Sequence, residues 1–487
     1  MIPPLKDKSL LRERMLVNGA WRSAHGGAAT AVCDPATGKK VAQVPQGDDR
    51  DARDAVDAAA AALRSWRTCS AKDRGQILRR WYDLVMAARE DLAQILTLEQ
   101  GKPIAEARAE VASAASFIDW FAEEGRRVYG ETIPAPSTDQ RLVVCKQPVG
   151  VCAAITPWNF PSAMVTRKVA PALAAGCTIV VKPAEQTPLS ALALGALAEQ
   201  AGLPAGVLNI VTGDPVAIGG VLTGDPNVRK LSFTGSTKTG RLLMEQCAPT
   251  LKRLSMELGG NAPFIVFEDA DLDAAVQGAL AAKYRNSGQT CICVNRFLVH
   301  EQVAQAFAAR MAKAAEALRV GHGCEESVEQ GPLIDAQALA KMESMILDAT
   351  DRGARLLCGG KLHAMGGTFF QPTVITDVTP DMALSREEIF GPIASIATFR
   401  NEEEAIAMAN ATEYGLAAYF YSRDMARLWR VGNALEYGMV GINTGLIANE
   451  TAPFGGVKQS GFGREGSRYG IEEYLDIQYL CVGGIDS

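Results

Sequence analysis

Apolar and polar positions change rhythm several times along the chain. From about Ala52 to Phe121 the pattern is Ala-rich and helical, with Gly75, Gly101 and Pro103 as punctuation. Val128 to Val151 reads differently. Gly130, Pro134, Pro136 and Ser137 break any helix, and Arg141-Leu-Val-Val-Cys-Lys-Gln147 alternates as an exposed strand. An isolated ribbon cannot bury its own faces, so it is expected to reach onto a neighbouring subunit or domain. After Val149 short apolar runs alternate with helical stretches. Cys177–Val181 reads as a buried strand, and Thr187 with Pro188 as the N-cap and first residue of a helix from Leu189 to Gln200. Strands follow at Leu208–Thr212 and Lys230–Thr234. A second series starts near Asn261, with a strand at Pro263–Phe267, a helix from Asp271 to Tyr284 and a strand at Arg296–His300. Repetition of strand, helix and strand predicts parallel, doubly wound sheets in an α/β protein.

The 487 residues exceed one ordinary core, so two or three structural domains are expected. A hydrophobic share of 48% with 21% charged residues excludes extensive disorder. Net charge is −6 with both signs interspersed, and no basic stripe offers itself to nucleic acid. The charged start of the chain, Lys6 to Arg14, is no secretory signal. The apolar stretch Val149 to Val181 contains Pro157, Pro161, Arg167 and Lys168, which rules out a membrane span there. Eleven cysteines without a repeating pattern read as reduced thiols, so a cytoplasmic protein is expected.

Five segments carry candidate chemistry. Cys291, in Asn286-Ser-Gly-Gln-Thr-Cys-Ile-Cys293, stands just past a predicted helix, where Gly288 lets the backbone turn and exposed amides can help form a thiolate. The alternative is a buried inert cysteine. The Cys-x-Cys spacing has no second pair or clustered histidine beside it, so no metal is expected. Glu257 ends a strand before Gly259 and Gly260, where an α/β sheet opens its crevice; alternatively it is a solvated strand-end charge. Thr156-Pro-Trp-Asn-Phe-Pro161 holds Trp158 and Asn159 between prolines, which suits an amide donor to an oxyanion or simply a rigid turn. Lys182 and Glu185 follow a buried strand and can address ribose hydroxyls, and Phe233–Gly240 can seat a pyrophosphate on free amides.

Taken together, these segments resemble the aldehyde dehydrogenase superfamily from about Leu16 to Leu480. The matching motifs are Thr156–Pro161, Lys182–Pro188, Phe233–Gly240, Met256–Gly260, Gly288–Cys291, Glu387–Pro392 and Pro453–Gly456, in that order. The resemblance implies a Rossmann-type cofactor domain (1–126 and 150–258), an α/β catalytic domain (259–464) and a β oligomerisation arm (127–149 and 465–487), assembled as homodimers or homotetramers. It implies Cys291 as nucleophile, Glu257 as general base and Asn159 as oxyanion donor with the Cys291 amide. Trp158, Lys182, Glu185, Gly235, Ser236, Leu258 and Glu388 would hold the cofactor. NAD is expected, with NADP as the alternative, because a carboxylate at Glu185 repels a 2′-phosphate. Within the superfamily the likeness is to succinate-semialdehyde dehydrogenases, whose paired arginines match Arg167 and Arg285 and clamp the distal carboxylate. Ala448 stands where that group often has serine, which leaves glutarate semialdehyde as a second substrate. A thiol esterase using Cys291 and Glu257 without cofactor is the competing reading, and Lys182, Glu185 and Phe233–Gly240 argue against it.

Overall fold

The computed structural model describes residues 5–485 and builds them around two open sheets. The parallel centre of the first runs in spatial order Leu208–Ile210, Thr178–Lys182, Val151–Ile155, Val228–Thr234 and Arg253–Glu257. The chain enters in the middle, at Val151–Ile155, and steps outward on one side. It then crosses back to lay Val228–Thr234 against the other flank of the same strand. That reversal creates a switch point, and the crevice beyond its carboxyl ends is where such a sheet takes a ligand. Short antiparallel strands finish the edges, with Met15–Val17 and Ala20–Arg22 on one side and Gly461–Phe462 on the other. Both faces are covered, so the central strands read as unbroken apolar runs rather than alternating ones.

The second sheet has seven strands, in the order Arg355–Cys358, Thr373–Thr376, Ile393–Phe399, Val294–His300, Ala262–Val266, Ala417–Tyr421 and Met439–Ile442. All its pairs are parallel except the first. A third sheet is a ribbon in which Leu475–Val482 pairs along its whole length with Arg141–Pro148, which also pairs with Glu131–Ile133. Ile477 is 75% exposed and Tyr479 57%, whereas Arg141–Pro148, predicted as an exposed strand, is half-buried beyond its first residue because it lies between the other two strands.

The helical stretch resolves into Asp49–Trp66, Ala71–Ala87, Arg89–Gln100 and Ile104–Glu124. Gly75 punctuates nothing. It lies inside the second helix, because a Cβ there would sit 2.7 Å from the Ala122 carbonyl of the helix packed against it. The break falls at Ser70, whose hydroxyl caps the helix through Asp73 N. The capping expected at Thr187 and Pro188 is also corrected. Pro188 occupies the N-cap of Leu189–Gln200, and Thr187 Oγ donates to the Trp158 carbonyl (3.2 Å). The free amides of Leu189 and Ser190 donate instead to the Glu99 carboxylate, at 2.6 and 2.8 Å. Each Glu99 oxygen accepts from one of the two amides, so a single side chain satisfies both.

Candidate active site

The segment before Cys291 is held in a conformation that side chains resist. Asn286, Ser287 and Gly288 all have positive φ (51°, 57° and 74°). At Gly288 a Cβ would meet the Gly391 carbonyl at 2.2 Å, so only glycine fits. The two non-glycine residues are held by surrounding bonds. Asn286 N donates to Glu106 (2.8 Å), Asn286 Nδ2 to the Asn159 carbonyl (3.0 Å) and Ser287 Oγ to the Gly331 carbonyl (2.9 Å). Buried Gln289 accepts from Ile334 N (2.9 Å) and donates to the Asn286 carbonyl (3.1 Å). The thiolate help expected from exposed amides is outweighed. Burial, and then the Glu388 carboxylate, push the Cys291 thiol up to about 12, while Arg167 and Arg285 pull the other way.

Cys291 opens onto a cavity of about 210 Å³ that also meets Arg167, Arg285, Phe160, Phe454 and Ala448. Arg167 is carried by the buried helix Ala163–Ala175 and is itself 6% exposed. Its guanidinium lies between the rings of Phe117 (4.7 Å) and Phe454 (4.5 Å), with Nε and Nη1 lacking any acceptor. Arg285 sits over the Phe160 ring at 5.5 Å. Two arginine side chains and the Cys291 thiol therefore line one cavity. Asn159 and Glu257 do not line it.

Glu257 is 3% exposed, and neither carboxylate oxygen has a hydrogen-bond partner. Burial first, and then Glu465, raise its pKa well above the usual carboxylate range, against a lowering pull from Lys168. Lys168 donates to Thr234 Oγ (2.6 Å) and is paired with Glu465. Asn159 is buried, donates through Nδ2 to the Gln289 carbonyl (3.0 Å) and leaves Oδ1 unpartnered.

The remaining predicted residues gather at the switch-point crevice. Lys182 ends its strand and pairs with Glu185, and burial lowers its pKa to about 8. Gly235 and Ser236 join Val228–Thr234 to the helix Thr237–Cys247, whose first turn Ser236 caps through Thr239 N (3.2 Å). Leu258 packs under that helix against Gly240. Trp158 meets Phe390 edge-on at 5.5 Å. Glu388 accepts from Gly260 N (3.1 Å), and burial raises its pKa to about 7. A Cβ on Gly259 would come within 2.9 Å of Glu388, so this floor is kept clear of side chains. A helix N-terminus for phosphate, a Lys–Glu pair beyond a strand end and a raised carboxylate opposite suit a dinucleotide. Among the described residues, no group of three or more His, Cys, Asp or Glu is placed to hold a metal, and no helix is long and apolar enough to cross a membrane.

Sequence reasoning missed the buried charges behind these residues, namely Lys168, Glu465, Lys102, Glu106 and Glu110. Lys102 carried one signal, a lysine wedged between the glycine that ends one helix and the proline that opens the next.

Comparison with known proteins places this geometry. The model of the aldehyde dehydrogenase family matches residues 21–480. A 3-sulfolactaldehyde dehydrogenase of Pseudomonas putida is 60% identical over 99% of both chains. An NADP-dependent succinate-semialdehyde dehydrogenase of Escherichia coli is 59% identical over 98% of this chain and 99% of its own. The crystal structure of a succinate-semialdehyde dehydrogenase from Burkholderia pseudomallei superimposes with a TM-score of 0.98 at 62% identity, covering 98% of this chain and 99% of that one.

Proposed function

The chain belongs to the aldehyde dehydrogenase family, and on that premise we propose that it oxidises a short aldehyde with a distal carboxylate, succinate semialdehyde first and glutarate semialdehyde second. The observation that carries this reading is the cavity shared by Cys291, Arg167 and Arg285, with two nitrogens of Arg167 free of any acceptor. The anionic neighbour of Arg167, Glu465, stands 4.0 Å from Nη1, beyond hydrogen-bond reach, and a substrate carboxylate within reach satisfies the buried donors.

Cys291 adds to the aldehyde carbon as its S–H proton passes to water, and the C=O π bond breaks onto oxygen as the C–S bond forms. Asn159 Nδ2 and the Cys291 amide stabilise the oxyanion, and loss of hydride leaves a thioester on Cys291. Removing one such donor typically costs about a hundred- to a thousandfold in rate. NAD(P), when bound, supplies the hydride acceptor. Lys182 and Glu185 would hold its adenosine ribose, Gly235 and Ser236 its pyrophosphate and Glu388 its nicotinamide ribose, with Trp158 and Leu258 alongside. Glu257 then takes a proton from the water that attacks the thioester, releasing the carboxylate and restoring the thiol.

Residues 1–126 and 150–258 form the cofactor domain in this reading, 259–464 the catalytic domain, and 127–149 with 465–487 the arm. Exposed Ile477, Leu480 and Val482 on that arm support a homodimer or homotetramer, which light scattering on the eluted protein tests. Eleven free cysteines support a reducing, cytoplasmic setting. The deciding experiment is a panel of aldehydes with and without a distal carboxylate, assayed with NAD and with NADP. Equal kcat/KM for butanal and succinate semialdehyde would remove the carboxylate clamp.

A further inference from the structure

Lys102 is a completely buried ammonium that the proposed chemistry does not use. Its Nζ donates to Glu110 Oε2 (2.5 Å) and to the backbone carbonyl of Asn159 (2.8 Å), and lies 3.8 Å from the centre of the Phe160 ring. The same carbonyl accepts from Asn286 Nδ2 (3.0 Å), so its two donors come from separate parts of the chain. The other Glu110 oxygen accepts from Ser162 N (2.9 Å) and Ala163 N (3.2 Å), at the start of the helix that carries Arg167. One turn earlier on the Ile104–Glu124 helix, Glu106 accepts from Asn286 N. Three charged side chains from one corner therefore grip the Asn159 segment, the Arg167 helix and the loop leading to Cys291.

Stability alone does not explain a charge here, because well-packed apolar residues often replace buried ion pairs at no loss. What Lys102 grips does explain it. The Asn159 backbone is pinned at its carbonyl, while its side-chain amide points to Gln289, two residues before the nucleophile. A methionine would fill the same space but leave that carbonyl held by Asn286 Nδ2 alone.

We infer that Lys102, oriented by Glu110, is a positioning residue that fixes the Asn159 amide against the oxyanion formed at Cys291. This rests on the oxyanion role proposed above for Asn159. A displacement on the order of 1 Å at such a donor costs about a hundredfold in rate. The effect falls on formation of the thioester, since the residues proposed for the adenosine ribose and pyrophosphate, Lys182, Glu185, Gly235 and Ser236, lie outside the Asn159 segment.

The test is the rate of the first-turnover NADH burst in the full-length enzyme, in a double-mutant cycle. Lys102→Met should slow the burst by about ten- to a hundredfold. KM for the aldehyde and Kd for NAD should stay within about twofold. In an Asn159→Ala background the same substitution should slow the burst by less than about twofold, since the group it positions is already gone. Glu110→Gln keeps the shape of the corner and should give a smaller loss in the same step, again absent without Asn159; it carries the test if Lys102→Met is insoluble. Losses that multiply in the double variant, a wild-type burst in either single variant, or NAD affinity falling in step with the burst would each overturn the inference. An Asn159→Ala enzyme with a wild-type burst would instead remove the oxyanion assignment, and the role of Lys102 with it.

Discussion

Replacing Arg167 by methionine isolates the feature on which substrate choice rests. The guanidinium is buried between two rings, and Nε and Nη1 have no acceptor to give up when a substrate arrives. A carboxylate reaching them gains charged hydrogen bonds without breaking internal ones. One such bond is worth about 1.5–3 kcal/mol, and about 1.4 kcal/mol is a factor of ten. Arg167→Met should therefore lower kcat/KM for succinate semialdehyde by roughly ten- to a hundredfold, mostly through KM. Butanal has the same length and no charge, and should change by no more than about twofold. The nearby Glu465 keeps Lys168 as its partner, so no carboxylate is stranded, and methionine retains packing between Phe117 and Phe454. The assay is steady-state kinetics on both aldehydes with melting curves recorded alongside. Equal losses on the two substrates would mean that Arg167 supports the fold of the cavity and does not read the carboxylate.

Restoring a hydroxyl with Ala448→Ser should tighten succinate semialdehyde selectively, by about three- to tenfold in KM, and an equal gain for butanal would count against a role in charge recognition. The base works deprotonated, so kcat should rise as pH climbs through the raised pKa of Glu257. Glu465→Gln removes a charge that raises that pKa and should move the acid limb to lower pH, whereas Lys168→Met should move it to higher pH; shifts in the opposite sense would take Glu257 out of hydrolysis. Glu257→Gln should release one NADH per active site and stall at the thioester, and full steady-state turnover would exclude it as the base. NAD should be preferred to NADP through Glu185, and Glu185→Gln should narrow the preference; kcat/KM values favouring NADP in the native enzyme would show that this carboxylate points away from the ribose.

What could be read in advance was whatever the chain encodes locally. The apolar runs at Thr178–Lys182 and Val228–Thr234 announce parallel strands and the alternation at Arg141–Gln147 a strand outside the core, because full burial on two faces leaves a different mark on neighbouring residues from half-burial. Cys291, Glu257 and Asn159 stood out by the turns and prolines beside them. Gly75 and Thr187 misled because their settings are tertiary, one pressed against Ala122 and the other displaced as a cap by a carboxylate ninety residues upstream. The charged corner around Lys102 was illegible for the same reason. A lysine in sequence reads as surface, and only the packing of Ile104–Glu124 onto the Asn159 segment turns it inward.

Late arrival of residues 461–482 imposes an order on how the protein is made. The strand Arg253–Glu257 waits for Gly461–Phe462 to complete its edge, and Arg141–Pro148 for Leu475–Val482. At translation speeds of about 5–20 residues per second, the roughly 200 residues between the first pair take about 10–40 s to synthesise, and the roughly 330 between the second about 16–65 s. Throughout the first interval Glu257 lacks Glu465 and the strand beside it, while Cys291 is synthesised well before Glu465. A nascent chain thus carries Cys291 before the surroundings of Glu257 exist. Premature termination within the final segment leaves the strand Arg253–Glu257 without its edge partner and Glu257 without the neighbouring Glu465.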